Sequence, residues 1–309
     1  MDKKLSVIIP TLNAEPFIEE QLKGLLEQRL PPDEIIVIDS SSEDRTCEIA
    51  ESFGVTVEKI PRDSFGHGST RNACARKSSG DILIFMSQDA VPAHRRLLEW
   101  LISPLGGDVA ASYACHVPRS DSTPPEVVAR RFNYPRKPLL KSKADLPKMG
   151  IKTFFFSNVC SAIRRDCFEE VGGFPEEIVT NEDMIFAAKL IMRGYKIAYV
   201  PQARVYHSHN FGLLWQMKRY FDIGSSLSTH RWIVEYDQTE KEGRRLLTEQ
   251  LKYTLGKGDL KWVPYTILEG AMKYTGFKLG LSQEKLPDNI KKMLSLHRRY
   301  WENQKKEEG

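Results

Sequence analysis

The 309-residue chain is short of the features that mark several large protein classes. Its five cysteines, Cys47, Cys74, Cys115, Cys160 and Cys167, are odd in number, scattered and free of C-x-x-C spacing. That excludes a disulfide framework and a zinc-finger module, and fits reduced thiols in a cytosolic protein. No run of 18 uncharged apolar residues occurs. The most apolar stretch, Trp262 to Leu281, carries Glu269, Lys273 and Lys278, so no transmembrane span is expected. The opening MDKKLSVIIPTLN lacks a long apolar segment, and no secretory signal is expected there. The first strand is not followed by a glycine-rich loop, which argues against a nucleotidyltransferase gripping a triphosphate.

Net charge is also scarce over the first two-thirds of the chain. Residues 1–209 hold 27 Lys/Arg and 28 Asp/Glu, a net of −1, whereas residues 210–309 hold 18 and 13, a net of +5. A modest basic tail on a neutral body, without zinc or a recognition-helix motif, gives no support to nucleic-acid binding. It points to an anionic surface met by the tail, a membrane first. Hydrophobic residues at 41% and charged residues at 28% are enough for a full globular core.

What the chain does have is alternation of two periods. LSVIIP, EIIVIDS, VTVEKI and DILIFM are short β-branched runs that read as strands. Between them, PFIEEQLKGLLEQ places Phe17, Ile18, Leu22, Leu25 and Leu26 on one helical face. SSEDRTCEIAESFG and STRNACARKSSG read as helices closed by glycines, Gly54 and Gly80. Repeated strand–helix–strand units imply an α/β fold with a parallel sheet and helices on both faces. Ligands of such sheets sit at the carboxyl ends of the strands, which here read Pro10-Thr11, Asp39-Ser40 and Gln88-Asp89. Residues 116–150 read as a long functional loop or a pair of short helices. Then FFFSNVCSAIRR reads as a strand, NEDMIFAAKLIMRG as a helix closed by Gly194, and YKIAYVP as a strand. The pattern is helical from about residue 210.

Two residues stand out on their own chemistry. Arg71 falls in the first turn of its helix, where the dipole disfavours a cation, so a phosphate contact or a hold on Asp89 is expected. His67 lies between Gly66 and Gly68 in FGHGST, where backbone can approach a ligand, although an ordinary glycine turn is equally economical.

The ordered set SVIIPTLNAE, IIVIDSSSEDRT, TRNACARKSSGDILIFMSQDA and GGFPEEIVTNEDMIFAAKLIMRGYKIAYVP resembles the family 2 inverting glycosyltransferases of GT-A fold over about residues 4–230. FGHGSTRN together with SQDA is similar to the rhamnosyltransferase branch, whose donor is dTDP-L-rhamnose. A catalytic domain is expected over 1–209 and a helical region over 210–309, where interleaved Trp, Tyr and Lys/Arg suit a membrane surface or packing on a second subunit. The resemblance implies that Asp39 accepts the N3–H of thymine or uracil and that Thr11 touches the same nucleotide. Asp89, the surviving acid of the family's Asp-x-Asp in Ser87-Gln88-Asp89, would bind Mg²⁺ or Mn²⁺ on the donor diphosphate, with Gln88 on ribose or donor sugar.

His207 or His209, in VYHSHNFG, would complete the metal site; a strand would turn the two to opposite faces, so only one should serve, and His207 is preferred. Asp183 would be the base that takes the acceptor hydroxyl's proton, with Glu182 orienting the acceptor, a polyprenyl-diphosphate-linked glycan. Acids opening a helix also suit its dipole, and Asp39 or Asp89 could simply cap helices. The same fold with a UDP-hexose or UDP-N-acetylhexosamine donor stays open. So does a catalytically silent membrane scaffold, since the first acid of Asp-x-Asp is missing.

Overall fold

The structure is a computed structural model that describes residues 3–236 and 239–307. Nine strands among the described residues form one sheet: β1 (Leu5–Thr11), β2 (Glu34–Asp39), β3 (Thr56–Lys59), β4 (Ile82–Met86), β5 (Val91–Pro92), β6 (Val109–Val117), β7 (Leu139–Lys141), β8 (Cys160–Arg164) and β9 (Lys196–Tyr206). Their order is β3-β2-β1-β4-β8-β6-β9-β5, with β7 also on β9. The helices are α1 (Glu15–Leu26), α2 (Thr46–Ser52), α3 (His67–Lys77), α4 (Leu97–Ile102), α5 (Pro124–Asn133), α6 (Leu146–Met149), α7 (Arg165–Glu170) and α8 (Glu182–Met192). Beyond β9 come α9 (Leu213–Ser228), α10 (Arg231–Val234), α11 (Thr239–Gly256), α12 (Trp262–Leu281), α13 (Asp288–Leu294) and α14 (Arg298–Glu307).

The chain divides into two compact units. The first comprises Met1–Arg119, Tyr134–Glu177 and Glu182–His207, and holds the whole sheet. The second comprises Ser120–Asn133, Ile178–Asn181 and Ser208–Gly309.

In the first unit, β1, β2 and β4 pair in parallel and are buried along nearly their full length, as continuous Val/Ile/Leu runs require. Ile18, Leu22 and Leu25 of α1 cover them in the principal core, while Leu26 points to solvent. The sheet is mixed rather than parallel throughout, because β8 runs antiparallel to both β4 and β6. The strand expected over FFFSNVCSAIRR is confined to its second half, Cys160–Arg164, after a 3₁₀ turn that ends at Phe154. Gly54 and Gly194 adopt the left-handed conformation expected after their helices. Gly80 does not: α3 ends at Lys77, and a side chain at Gly80 would overlap the Ser6 hydroxyl, so close strand approach requires it.

Following the register across the sheet fixes one functional edge. β6 and β9 are parallel to each other and run in the direction of β1, β2 and β4. The carboxyl ends of these five strands therefore share a rim with the amino end of β8. Residues 116–150 supply the end of β6, then α5, β7 and α6.

The second unit is built on α9 and α12. Gly224, Gly276 and Gly280 let the two helices meet backbone to backbone, for a Cβ at Gly276 would overlap the Met217 carbonyl oxygen and one at Gly280 that of Phe221. Phe221, Leu294 and Trp301 form its buried cluster with Val179.

Candidate active site

The loops leaving β1 and β2 are stitched together at the rim. Asn13 and Ser41 both hold positive φ, at 52° and 62°, a strained backbone that occurs where a site must be shaped. Asn13 N–H donates to Ser42 Oγ at 2.8 Å, and Glu43 N–H donates back to Asn13 Oδ1 at 2.9 Å. Asp39 is buried beneath them; its carboxylate accepts from Thr11 Oγ1 at 3.0 Å and from Ser42 N–H at 2.8 Å. Thr11 and Asp39 thus meet, and Asp39 also holds the turn after its own strand. Gln88 accepts from Leu12 N–H at 2.7 Å and donates to Leu12 O at 3.1 Å, so its amide clamps the β1 loop to the β4 end instead of presenting a free edge to a sugar.

Asp89 follows in the turn between β4 and β5. Because Val91 pairs with Tyr206, the chain folds back beside the end of β9, and His207 Nε2 stands 3.4 Å from Asp89 Oδ2. Two ligands at about 2.1 Å and right angles on one ion lie about 3 Å apart, so this carboxylate–imidazole pair fits a divalent cation. The nitrogen donor suits Mn²⁺ better than Mg²⁺. β9 ends at Tyr206, so the opposite-face rule does not bind the two histidines. His209 lies in the second unit, where its N–H donates to Glu126 Oε1 at 3.4 Å and its ring stacks on Phe211 at 4.6 Å.

Two further residues gather at this point. His116, at the end of β6, sits edge-on to the His207 ring at 5.1 Å and stacks on Tyr134 at 4.0 Å. Arg119 donates to the Asp89 carbonyl oxygen at 3.1 Å, with its guanidinium over the Phe17 ring. Neither is announced in the sequence, because AASYACHV offers a single β-branched residue, Val117, to mark a strand. Once β6 is seen, His116 is a strand-end residue like Asp39.

The second cluster lies where α8 begins. Glu182 is buried, with Oε1 3.2 Å from Arg71 Nη1 and 3.3 Å from Asn158 Nδ2. Arg71 also donates to His67 O at 2.8 Å. Arg71 therefore holds Glu182, not Asp89, which explains a cation in the first turn of α3. His67 is the first residue of α3, and the approach at Gly68 is to protein backbone, the Pro175 carbonyl, not to a ligand. Glu182 is inside, paired on two sides, and so positions its neighbour more directly than it could orient an acceptor.

That neighbour, Asp183, is half-buried and accepts from Asn158 N–H at 3.2 Å and Met184 N–H at 2.7 Å. Burial, with the charge of Glu182 beside it, pushes Asp183 up to about 7. Burial also opposes ionisation of Glu182, yet the charges of Arg71 and His67 outweigh it and hold Glu182 below the usual carboxylate range. Burial lowers His67. Two adjacent carboxyls driven in opposite directions are the signature of separated roles, and a group near 7 is matched to proton abstraction at neutral pH. Asn158, which serves both acids, was not recognisable from sequence. It precedes β8, whose backbone is tied to the Asp89 turn through Ser87 N–H on Val159 O at 3.1 Å.

A mixed sheet with a carboxylate–imidazole pair and a tuned acid on one rim is the architecture of a GT-A glycosyltransferase. Solved structures agree. The mannosyltransferase PcManGT of Pyrobaculum calidifontis, in complex with GDP-Man and Mn²⁺, superposes with a TM-score of 0.64 at 18% identity, covering 92% of this chain and 89% of that one. TarS of Staphylococcus aureus in complex with UDP-GlcNAc gives 0.54 at 17% identity, covering 91% of each. In sequence, the model of glycosyl transferase family 2 matches residues 6–172, and that of glycosyl transferase family group 2 matches 145–275. The O-antigen chain rhamnosyltransferase RfbN of Salmonella typhimurium is 38% identical over 307 residues, 97% of this chain and 96% of its own. WbaN of Salmonella anatum, also an O-antigen chain rhamnosyltransferase, is 37% identical over 302 residues, 96% of each. The chain belongs to glycosyl transferase family 2 and is a glycosyltransferase.

Proposed function

We propose that the protein transfers L-rhamnose from dTDP-rhamnose, with inversion, to a hydroxyl of a cell-surface glycan acceptor carried on polyprenyl diphosphate. The donor and acceptor class are supported by the near full-length likeness to RfbN and WbaN. The single observation that carries the chemistry is Asp183, a half-buried carboxyl near 7, on an acid pair whose other member is locked by Arg71.

Asp183 takes the proton of the acceptor hydroxyl as its oxygen attacks the anomeric carbon, and Glu182 and Asn158 keep the carboxylate in place. Thr11 and Asp39 face the nucleotide base, with the Gln88 clamp and Arg119 shaping the floor beneath it. Asp89 and His207 would hold Mn²⁺ or Mg²⁺ between them. A bound ion there supplies Lewis-acid neutralisation of the departing diphosphate. The work is done at the cytoplasmic face of the cell membrane.

The test is calorimetric titration of dTDP-rhamnose against UDP-hexose and UDP-N-acetylhexosamine in the presence of Mn²⁺. Binding of dTDP-rhamnose alone is expected, and binding of UDP donors alone rejects the rhamnose assignment. Turnover lost in Asp183→Asn also excludes a silent scaffold.

A further inference from the structure

In the second unit α12 buries one side against α9 and turns the other to solvent, and that outer side is apolar. Pro264, Ile267, Leu268, Ala271 and Tyr274 recur at helical spacing along it and are all exposed, Ile267 at 49%, Leu268 at 53% and Tyr274 at 52%. The stripe runs on into the turn from α11, where Leu255 is 55% and Leu260 64% exposed. Outward leucines and isoleucines in this number form a patch that a monomer in water has reason to avoid. The hairpin tip is basic: residues 250–264 contain Lys252, Lys257 and Lys261 against one acid, Asp259, and of the three Lys252 is bound to the neighbouring Glu249 at 3.3 Å. At the far end of the stripe Lys278 is bound to Glu240 at 2.7 Å. Among the described residues no helix is long and apolar enough to cross a membrane.

We propose that the α11–α12 hairpin docks the enzyme on an anionic lipid surface, with Leu255, Leu260, Ile267 and Leu268 entering the interface and Lys257 and Lys261 on the headgroups. An apolar stripe edged by lysines is the pattern of a helix lying in the plane of a bilayer. Charge decides between the two candidate occupants. A second copy on a two-fold axis would set the same lysine-rich tip into a self-complementary interface, like charge near like charge. A leaflet rich in acidic lipid offers the opposite sign, with each lysine near it favourable. The proposal rests on the reading of a lipid-linked acceptor and names the face that would meet the lipid.

The test is cosedimentation of the full chain with vesicles of phosphatidylcholine alone and of phosphatidylcholine mixed with phosphatidylglycerol. Binding is expected only to the mixed vesicles, weakening as salt is raised. Lys257→Glu/Lys261→Glu and, separately, Ile267→Glu/Leu268→Glu should each reduce it by at least about tenfold. Both variants should keep wild-type transfer to a water-soluble acceptor, so loss of transfer in the wild type itself would count against the function and not against this surface. Wild-type protein that ignores the mixed vesicles, or variants that bind them equally well, overturns the proposal. So does a wild-type dimer in sedimentation that Ile267→Glu converts to monomer. Should the apolar variant unfold, the lysine variant decides alone, since exposed lysines carry no packing.

Discussion

Replacing Asp183 by Asn should slow transfer by orders of magnitude and at the same time stabilise the protein, by an amount that grows with pH. The carboxyl ordinarily ionises near 3.8 and in the folded chain near 7. Between those values the unfolded chain has released a proton that the folded chain still holds, so stability falls as pH rises, and above about 7 the full cost is present. A shift of about 3 units corresponds to about 4 kcal/mol, an upper bound. Asp183 is only half-buried, and solvent reaching its carboxyl reduces the expected effect to about 2 kcal/mol. Urea unfolding of wild type and Asp183→Asn from about pH 4 to about pH 8.5 reads the difference directly. The two should coincide at the acid end, diverge through neutrality and run parallel above it, while turnover drops by about 10²- to 10⁴-fold. A stability difference that stays constant with pH would refute the burial argument. Retained turnover would remove Asp183 as the base.

Arg71→Ala strands the buried Glu182 charge and should cost about 3–5 kcal/mol in chemical unfolding. Asn158→Ala removes the amide on Glu182 but keeps the backbone N–H on Asp183, so turnover should fall while the acid limb of the pH–rate profile stays near neutrality. Asp89→Ala or His207→Ala should weaken Mn²⁺ binding, read by calorimetry with dTDP present, by more than about tenfold, with the fold's melting unchanged. Gly276→Ala forces a methyl into the Met217 carbonyl and should destabilise the second unit by about 1–3 kcal/mol, visible as an earlier thermal transition.

Legibility followed the chemistry of each segment. β1, β2 and β4 were readable because both faces are buried, which demands unbroken β-branched runs, and Asp39 and Asp89 stood out as charges ending them. β6 was hidden. Its Ala, Ser and Cys pack between β8 and β9, where small residues suffice, and with it went His116 and Arg119. The antiparallel course of β8 is written in no local period, since direction comes from the connection and not from the strand. Arg71 was marked by its position against the helix dipole, but its partner was out of reach: Glu182 is 111 residues away, and only the folded register joins α3 to α8. Gly68 announced a close approach but pointed to a ligand instead of the Pro175 carbonyl, and Gly80 read as a helix end because its strand neighbour Ser6 lies 74 residues away.

The proposed transfer needs a donor held at Asp89 with its anomeric carbon open toward Asp183. A crystal structure with dTDP and Mn²⁺ measures this most directly. The ion should coordinate Asp89 and His207 together with oxygens of the diphosphate, with thymine against Asp39. An ion bound elsewhere, or a diphosphate out of contact with Asp89, would contradict it.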